Sequence, residues 1–390
     1  MKQGWEYKKL GEVCTIERGG SPRPITDYIT DSEDGINWIK IGDAQEGSKY
    51  ITSTKEKIRP EGIKKSRFVH KGDFILSNSM SFGRPYILKV DGCIHDGWLV
   101  IHDDNEVFIK DYLYYILSSS IMYAKFSQLA VGGVVNNLNS SLVRKVAIPI
   151  PPKSTQLSIV SELDKINELI RLKKEQLKDY DNLAQSIFYE MFGDPVENEK
   201  GWEVKKLGEV CTIERGSSPR PITAYITDSK DGINWIKIGD AQEGSKYITS
   251  TKEKIKPEGL KKSRFVHKGD FILSNSMSFG KPYILKIDGC IHDGWLVIHD
   301  NNNVFIKIYL YYLLASSIMY AKFSKLAVGG VVNNLNSSLV REVDVSIPPL
   351  PLQHLFAQRI EQIEHQKSEV TKAITDLETL LASRMQHWFE

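Results

Sequence analysis

WIKIGDAQEGSKYITSTKEKI runs from Trp38 to Ile58 and, letter for letter, again from Trp235 to Ile255. Working outward, Gly4-Trp5-Glu6 returns as Gly201-Trp202-Glu203, and GCIHDGWLVIHD begins at Gly92 and at Gly289. The halves stay in register without a gap, with about 18 differences over residues 4–150. A period near 197 residues is far too long for a solenoid, whose units run about 20–50 residues. Each copy is therefore a domain, and the 390-residue chain is one unit written twice.

Past Ile150 and Ile347 the identity collapses but the pattern persists. Each copy passes a proline cluster, Pro151-Pro152 or Pro348-Pro349-Leu350-Pro351, and then Gln156 or Gln353. Leu163, Ile166, Ile170, Lys173, Leu177, Tyr180, Ala184, Ile187 and Met191 follow at alternating spacings of three and four. Ile360, Ile363, Lys367, Val370, Ile374, Leu377, Leu381, Arg384 and Trp388 do the same. Sustained over about four heptads, such spacing predicts a coiled-coil seam rather than a globular amphipathic helix. Proline cannot continue a helix, so the clusters mark the entries. Gly193-Asp194-Pro195 reads as a stop, with glycine suited to a left-handed C-cap. Each helix is expected to run about 38 residues, roughly 55–60 Å. Lys173 and Lys367 interrupt the seam, where they either fix register or snorkel.

Segments Ile36–Ile41, Asp73–Ser77, Tyr86–Val90 and Gly97–Ile101 are short, apolar and bounded by Gly, Asp, Asn or Pro, which predicts strands. Residues 107–125 carry helical periodicity with a Ser-rich middle. The expected fold is therefore α/β (α+β) globular domains duplicated in tandem, separated by two long helices forming an antiparallel coiled coil with pseudo-two-fold symmetry. The divisions are residues 1–153, helix 154–193, residues 194–351 and helix 352–390. Effective concentration favours pairing of the helices within one chain; the alternative is that each seam pairs in another chain.

The 51 Lys+Arg nearly balance 49 Asp+Glu, and 41% of residues are hydrophobic, which excludes wholesale disorder and collagen-like structure. No run approaches the roughly 18–20 apolar residues of a membrane span. The start, MKQGWEYKKL, offers no apolar stretch for a signal peptide, so a cytoplasmic location is expected. Four cysteines do not make a disulfide framework. The charge balance is an average: residues 49–71 hold eight cations against Glu56 and Glu61, and residues 246–268 repeat the pattern. Two near-identical domains about a two-fold axis suit duplex DNA, whose own symmetry lets such readers bind inverted half-sites.

The motifs together resemble the specificity subunit of type I restriction–modification systems, over essentially the whole chain. The opening GWE-x-KKLGEV, the turns GGSPRP and GSSPRP, then WIKIGDA, SNSMSFG, HDGW and VVNNLN are similar to that family's target-recognition domains. The PIPPKSTQ, LDKINELI and MFGDP run is similar to its spacer helices. The resemblance implies a chain with no catalytic centre that reads one half of a bipartite DNA site with each domain. It implies docking of two adenine-N6 methyltransferase subunits and, in some assemblies, two motor–nuclease (restriction) subunits. Those partners would use S-adenosylmethionine, ATP and Mg2+, with no cofactor in this chain. Family members usually carry two dissimilar domains; near-identity here implies an interrupted palindrome.

Phosphate neutralisation calls for cations. The candidates are Lys49, Lys55, Lys57, Arg59, Lys64, Lys65, Arg67 and Arg84, with Lys246, Lys252, Lys254, Lys256, Lys261, Lys262, Arg264 and Lys281 in the second copy. Base reading calls for forked donors and amides. Its candidates are Arg23, Asn78, Ser79, Ser81, His95 and Asn136, with Arg220, Asn275, Ser276, Ser278, His292 and Asn333. Asn, Ser and Gly are also ordinary turn residues, and a charge run is often only a solvated face. Arg84 becomes Lys281, which favours a phosphate role at that position.

Other chemistries are weaker. Gly42–Lys49 has Ser and Lys in the wrong order for a phosphate loop. Cys14, Cys93, His95 and His102 lack the close CxxC pair of a zinc site. Asp43, Glu46 and Lys49 stand without a second carboxylate cluster, and no adenine-methylating Asn/Asp-Pro-Pro-Tyr motif occurs. The alternatives kept open are a symmetric scaffold or interaction protein with duplicated binding domains, and a stand-alone endonuclease.

Overall fold

Proline sets where each long helix begins. The first runs Lys153–Phe192, directly after Pro151-Pro152, and the second runs Leu350–Phe389. Gly193, at φ +74°, takes the left-handed position that stops the first. At 40 residues each, the helices are about 60 Å long. The computed structural model describes residues 2, 4–45, 47–78, 83–130, 138–242, 244–275, 280–327 and 335–390. The chain divides into two compact units, Met1–Lys174 with Lys372–Glu390, and Glu175–Thr371. Each unit thus contains one half of each long helix.

In the first unit Arg384 and Trp388 both donate to the Glu162 carboxylate, Trp388 at 3.0 Å, and Lys174 lies 2.8 Å from Glu378. One helix ascends from 162 to 174 while the other descends from 384 to 378, so the halves are antiparallel. Leu163, Ile166, Ile170 and Ile374 are buried on the seam, with Leu377 and Leu381 half-buried. In the second unit Phe188 packs 5.7 Å from Phe356, and Lys367 bonds Asp181 at 2.6 Å, again antiparallel. Ile360, Ile363 and Val370 are buried there, while Leu177 and Ile187 are half-buried. Lys367 therefore reaches across the seam to a carboxylate on the other helix. The heptad reading omitted Phe188, Phe192 and Phe356, whose rings meet at 5.3–5.7 Å and form the end of the seam.

The globular part of the first unit holds two five-stranded sheets. One orders Ile29–Thr30, Glu56–Ile58, Ile36–Ile39, Gly92–Ile94 and Arg67–Val69. The other orders Thr15–Arg18, Trp98–His102, Phe74–Ser77, Pro85–Leu88 and Tyr50–Ile51. Gly92–Ile94 pairs parallel with Ile36–Ile39, setting Cys93 opposite Trp38. Gly92 must be glycine, because a Cβ there would lie 2.6 Å from the Asn37 carbonyl oxygen. Trp98–His102 pairs antiparallel with Phe74–Ser77, and nearly every side chain of both is buried. Strands buried on both faces read as continuous apolar runs, which is why the sequence reveals them. The second unit repeats both sheets in the same order.

The helical stretch in residues 107–125 is two helices, Lys110–Ser118 and Ser120–Ala130, not one. Ser119 takes an extended backbone between them; its buried hydroxyl donates to the Ile116 carbonyl and accepts from the Met122 amide. A serine that satisfies both helix ends stabilises the break. These helices pack Tyr112, Leu113, Ile116, Met122 and Phe126 onto the second sheet and the long helices, in one core with Leu163 and Phe389. No described helix is long and apolar enough to cross a membrane.

Candidate nucleic-acid interface

The two strand ends that matter are Arg18, leaving the second sheet, and Ile94, leaving the first. The chain after Arg18 turns back on the chain after Ile94: Gly19 N–H donates to the Trp98 carbonyl at 2.9 Å, and Gly20 N–H to Ile94 at 3.2 Å. A Cβ on Gly19 would sit 2.3 Å from the His95 carbonyl oxygen, so the approach requires glycine. The GGSPRP turn and the HDGW loop thereby become one site.

Asp96 is its centre. Ser21 Oγ donates to its carboxylate at 2.8 Å, and Arg23 reaches the other oxygen at 3.4 Å. Its backbone carbonyl accepts from Arg18 Nε and from Asn78 Nδ2, both at 2.9 Å. Burial works against ionisation of Asp96, yet the Ser21 hydroxyl and the charges of Arg18 and Arg23 outweigh it and hold its carboxyl below the usual range. The second unit repeats this at Asp293, with Ser218 at 2.8 Å, Arg220 at 3.4 Å, Arg215 Nε at 2.8 Å and Asn275 Nδ2 at 3.0 Å. The arginine side chains are 80% and 81% exposed. Beside Arg220 a cleft of about 920 Å3 is walled by Trp235, Lys237, Glu253, His292 and Asp293.

The turn Pro60–Lys65 lies against this loop: a Cβ on Gly62 would be 3.4 Å from Pro22 and 3.3 Å from Tyr28. It carries Lys64 and Lys65 on its exposed side, with Arg59 just before it. Lys65 Nζ donates to the Tyr28 hydroxyl at 2.6 Å. Lys256, Lys261 and Lys262 are exposed likewise in the second unit. Lys55, Lys252, Arg84 and Lys281 are also exposed, and Lys57 and Lys254 are half-buried.

Several candidates are placed elsewhere than expected. Asn78 and Asn275 are 2% and 1% exposed, so neither reaches a base. Their amides clamp the Asp96 and Asp293 carbonyls from beneath, a supporting role. Lys246 is 7% exposed and bonds Glu364 at 2.9 Å, which removes it from the phosphate set. Lys49 is turned inward to Asp111 over the Tyr114 and Tyr115 rings. Arg67 and Arg264 donate to Glu17 and Glu214 and to the backbone of Arg18 and Arg215. His95 and His292 accept from the Gly97 and Gly294 amides through Nδ1, which shapes the loop. Burial pushes the His292 imidazole toward its neutral form. Ser79, Ser81, Asn136, Ser276, Ser278 and Asn333 lie outside the described residues.

The four cysteines are buried and free; burial pushes the Cys14 and Cys211 thiols up to about 12, and the Cys93 and Cys290 thiols up to about 11. Asp96, Ser21 and Arg18, with Asp293, Ser218 and Arg215, were not among the sequence candidates. The signal was their double occurrence; nothing linear says that residues 75 apart meet.

A family profile described as type I restriction modification DNA specificity domain matches residues 2–179 and 199–379. The type I restriction enzyme MjaIX specificity subunit of Methanocaldococcus jannaschii is 26% identical over 263 residues, 63% of this chain and 60% of that protein. This match spans less than two thirds of that relative. The MjaVIII specificity subunit of the same organism is 21% identical over 416 residues, 98% of this chain and 92% of that protein. A solved chain described under complex assembly and conformational transition of the type I R-M system has a TM-score of 0.68 at 20% identity, covering 99% of this chain and 97% of that one. That last likeness concerns the fold.

Proposed function

The chain belongs to the family of type I restriction–modification DNA specificity domains, and from that premise we propose that it reads duplex DNA at an interrupted site whose two halves carry the same bases in inverted order. The observation that carries this is the repeated constellation of an exposed arginine held by an aspartate beside a turn of exposed lysines, once at Arg23 and Asp96 and once at Arg220 and Asp293. Two copies differing at about 18 positions over residues 4–150 call for two like half-sites. The antiparallel sense of the helix halves within each unit favours their inversion.

On this reading Arg59, Lys64 and Lys65, with Lys256, Lys261 and Lys262, meet phosphates. Such contacts fix register and orientation without carrying sequence information. Catalysis is assigned to partners rather than to this chain: methyltransferase subunits, two per complex, and where present two restriction subunits. S-adenosylmethionine, ATP and Mg2+ then belong to those partners, and the assembly works on DNA in the cytoplasm.

Gel-shift titration of the chain with its methyltransferase subunit, at two salt concentrations, tests the reading. Binding should favour one interrupted palindrome and weaken steeply with salt, with a log–log slope of about −0.9 per phosphate contact. Affinity indifferent to both salt and DNA would instead favour a scaffold of duplicated interaction domains.

A further inference from the structure

If the two half-sites carry the same bases, the side chain that reads a given base must be the same in both copies. The first domain has six arginines within residues 4–150: Arg18, Arg23, Arg59, Arg67, Arg84 and Arg144. Arg59 and Arg84 are replaced by Lys256 and Lys281. Lysine matches arginine as a point charge on phosphate but not as a planar fork. Four arginines remain in both copies. Arg18 donates to the Asp96 carbonyl, Arg67 to the Arg18 carbonyl and Arg144 to the Ile16 carbonyl, and their counterparts Arg215, Arg264 and Arg341 do the same. These bonds hold the site together.

Arg23 and Arg220 differ. Among the described residues each makes its polar contact with a carboxylate alone, through one Nη2 at 3.4 Å, and each is about four-fifths exposed. A guanidinium has five N–H donors, so most of the fork is directed to solvent. The carboxylate that steadies it is itself fixed at 2.8 Å by Ser21 or Ser218, and its main chain is clamped by Arg18 and Asn78, or by Arg215 and Asn275. A carboxylate contact that biases a flexible arginine toward one orientation before binding lowers part of the ordering cost that a free side chain meets on contact. A guanidinium fork matches the N7 and O6 acceptors of guanine.

Resting on the proposed DNA-reading function, we propose that Arg23 and Arg220 each read one guanine of a half-site, and that Asp96 and Asp293 are positioning residues that orient the two forks. The pair sets which base is accepted at one position in each half, while the lysines of the adjoining turn set affinity.

The test uses the full chain with its methyltransferase subunit and a library of duplexes randomised around the methylated site, read by sequencing the methylated products. Arg220→Lys alone should lower the preference for guanine about tenfold or more at one position of one half, leaving the Arg23 half as an internal control of folding and assembly. Arg23→Lys should do the converse. Asp96→Asn should weaken the same preference as Arg23→Lys without changing other positions, and Asp96→Glu should recover part of it. An unchanged motif in Arg220→Lys and Arg23→Lys would overturn the assignment. So would a uniform loss of affinity at every position with a salt slope reduced by about one, which marks a phosphate contact. If Asp96→Asn lowers thermal stability and overall binding but leaves base preference intact, the positioning role is wrong. A wild-type complex that methylates no defined motif would overturn the DNA-reading function itself.

Discussion

The buried Lys246 pairs with the half-buried Glu364, 2.9 Å from Nζ to carboxylate, and ties a recognition-domain loop to the second long helix. Its counterpart Lys49 bonds Asp111 within its own domain. Two differences between the copies account for the switch: Ile308 stands where the first domain has Asp111, and Glu364 where the first helix has Asn167. Burial lowers the Lys246 pKa, with Glu364 opposing it. Glu364→Ala would leave a buried cation unpaired and should cost about 3 kcal/mol. Adding Ile308→Asp should recover most of that by rebuilding the pairing of the first copy. Urea unfolding of the single and double variants checks both; equal stability of all three would show that the pair contributes nothing.

Gly19 is expected to tolerate no side chain. Gly19→Ala drives a Cβ into the His95 carbonyl, and forcing atoms into a packed site typically costs about 1–3 kcal/mol. Recognition by the first domain should fall while the second domain's half is still read. Gly20→Ser should be nearly silent, because Ser217 occupies that position in the second copy. Thermal melts and half-site binding distinguish the two neighbours.

Acid should loosen the helix pair of the first unit through Glu162. The Arg384 hydrogen bond, aided by Trp388, holds its carboxyl below the ordinary 4.5 despite some burial. A depressed folded pKa means stability that is fully present above the unfolded value and is lost as pH falls through the folded one. Melting temperature should therefore decline below about pH 4.5, and Glu162→Gln should show a shallower decline over that range. An identical pH profile for the variant would rule out this contribution.

Ile170→Glu or Ile374→Glu places a carboxylate at a seam position only 7% exposed in the native chain. Each should destabilise the first unit by a few kcal/mol, roughly 3–5 for a buried unpaired charge. Unchanged thermal stability would mean that the helix halves do not pair within the chain.

How legible the molecule was depends on what each feature needs. The duplication, the proline entries and the glycine stop at Gly193 are local, and so is the apolar spacing from Leu163 to Ile170. Polar residues were harder to place, because their burial depends on distant partners. Asn78 reads as a base-reading amide until its side chain is found buried against the Asp96 carbonyl, and Lys246 reads as one cation of a basic run until Glu364 arrives from 118 residues away. Ser119 reads as a helical residue, and only its two hydrogen bonds show that it breaks the helix. Arg23 stands out in the sequence as the arginine of a tight turn, while the contact with Asp96 emerges only with the fold.

The most direct measurement is the methylated motif made by the chain together with its methyltransferase subunit in a host genome lacking other methylation. Near-identical reading domains predict one interrupted palindrome with a guanine at equivalent positions of both halves. An asymmetric motif, with different bases in the two halves, would contradict the account.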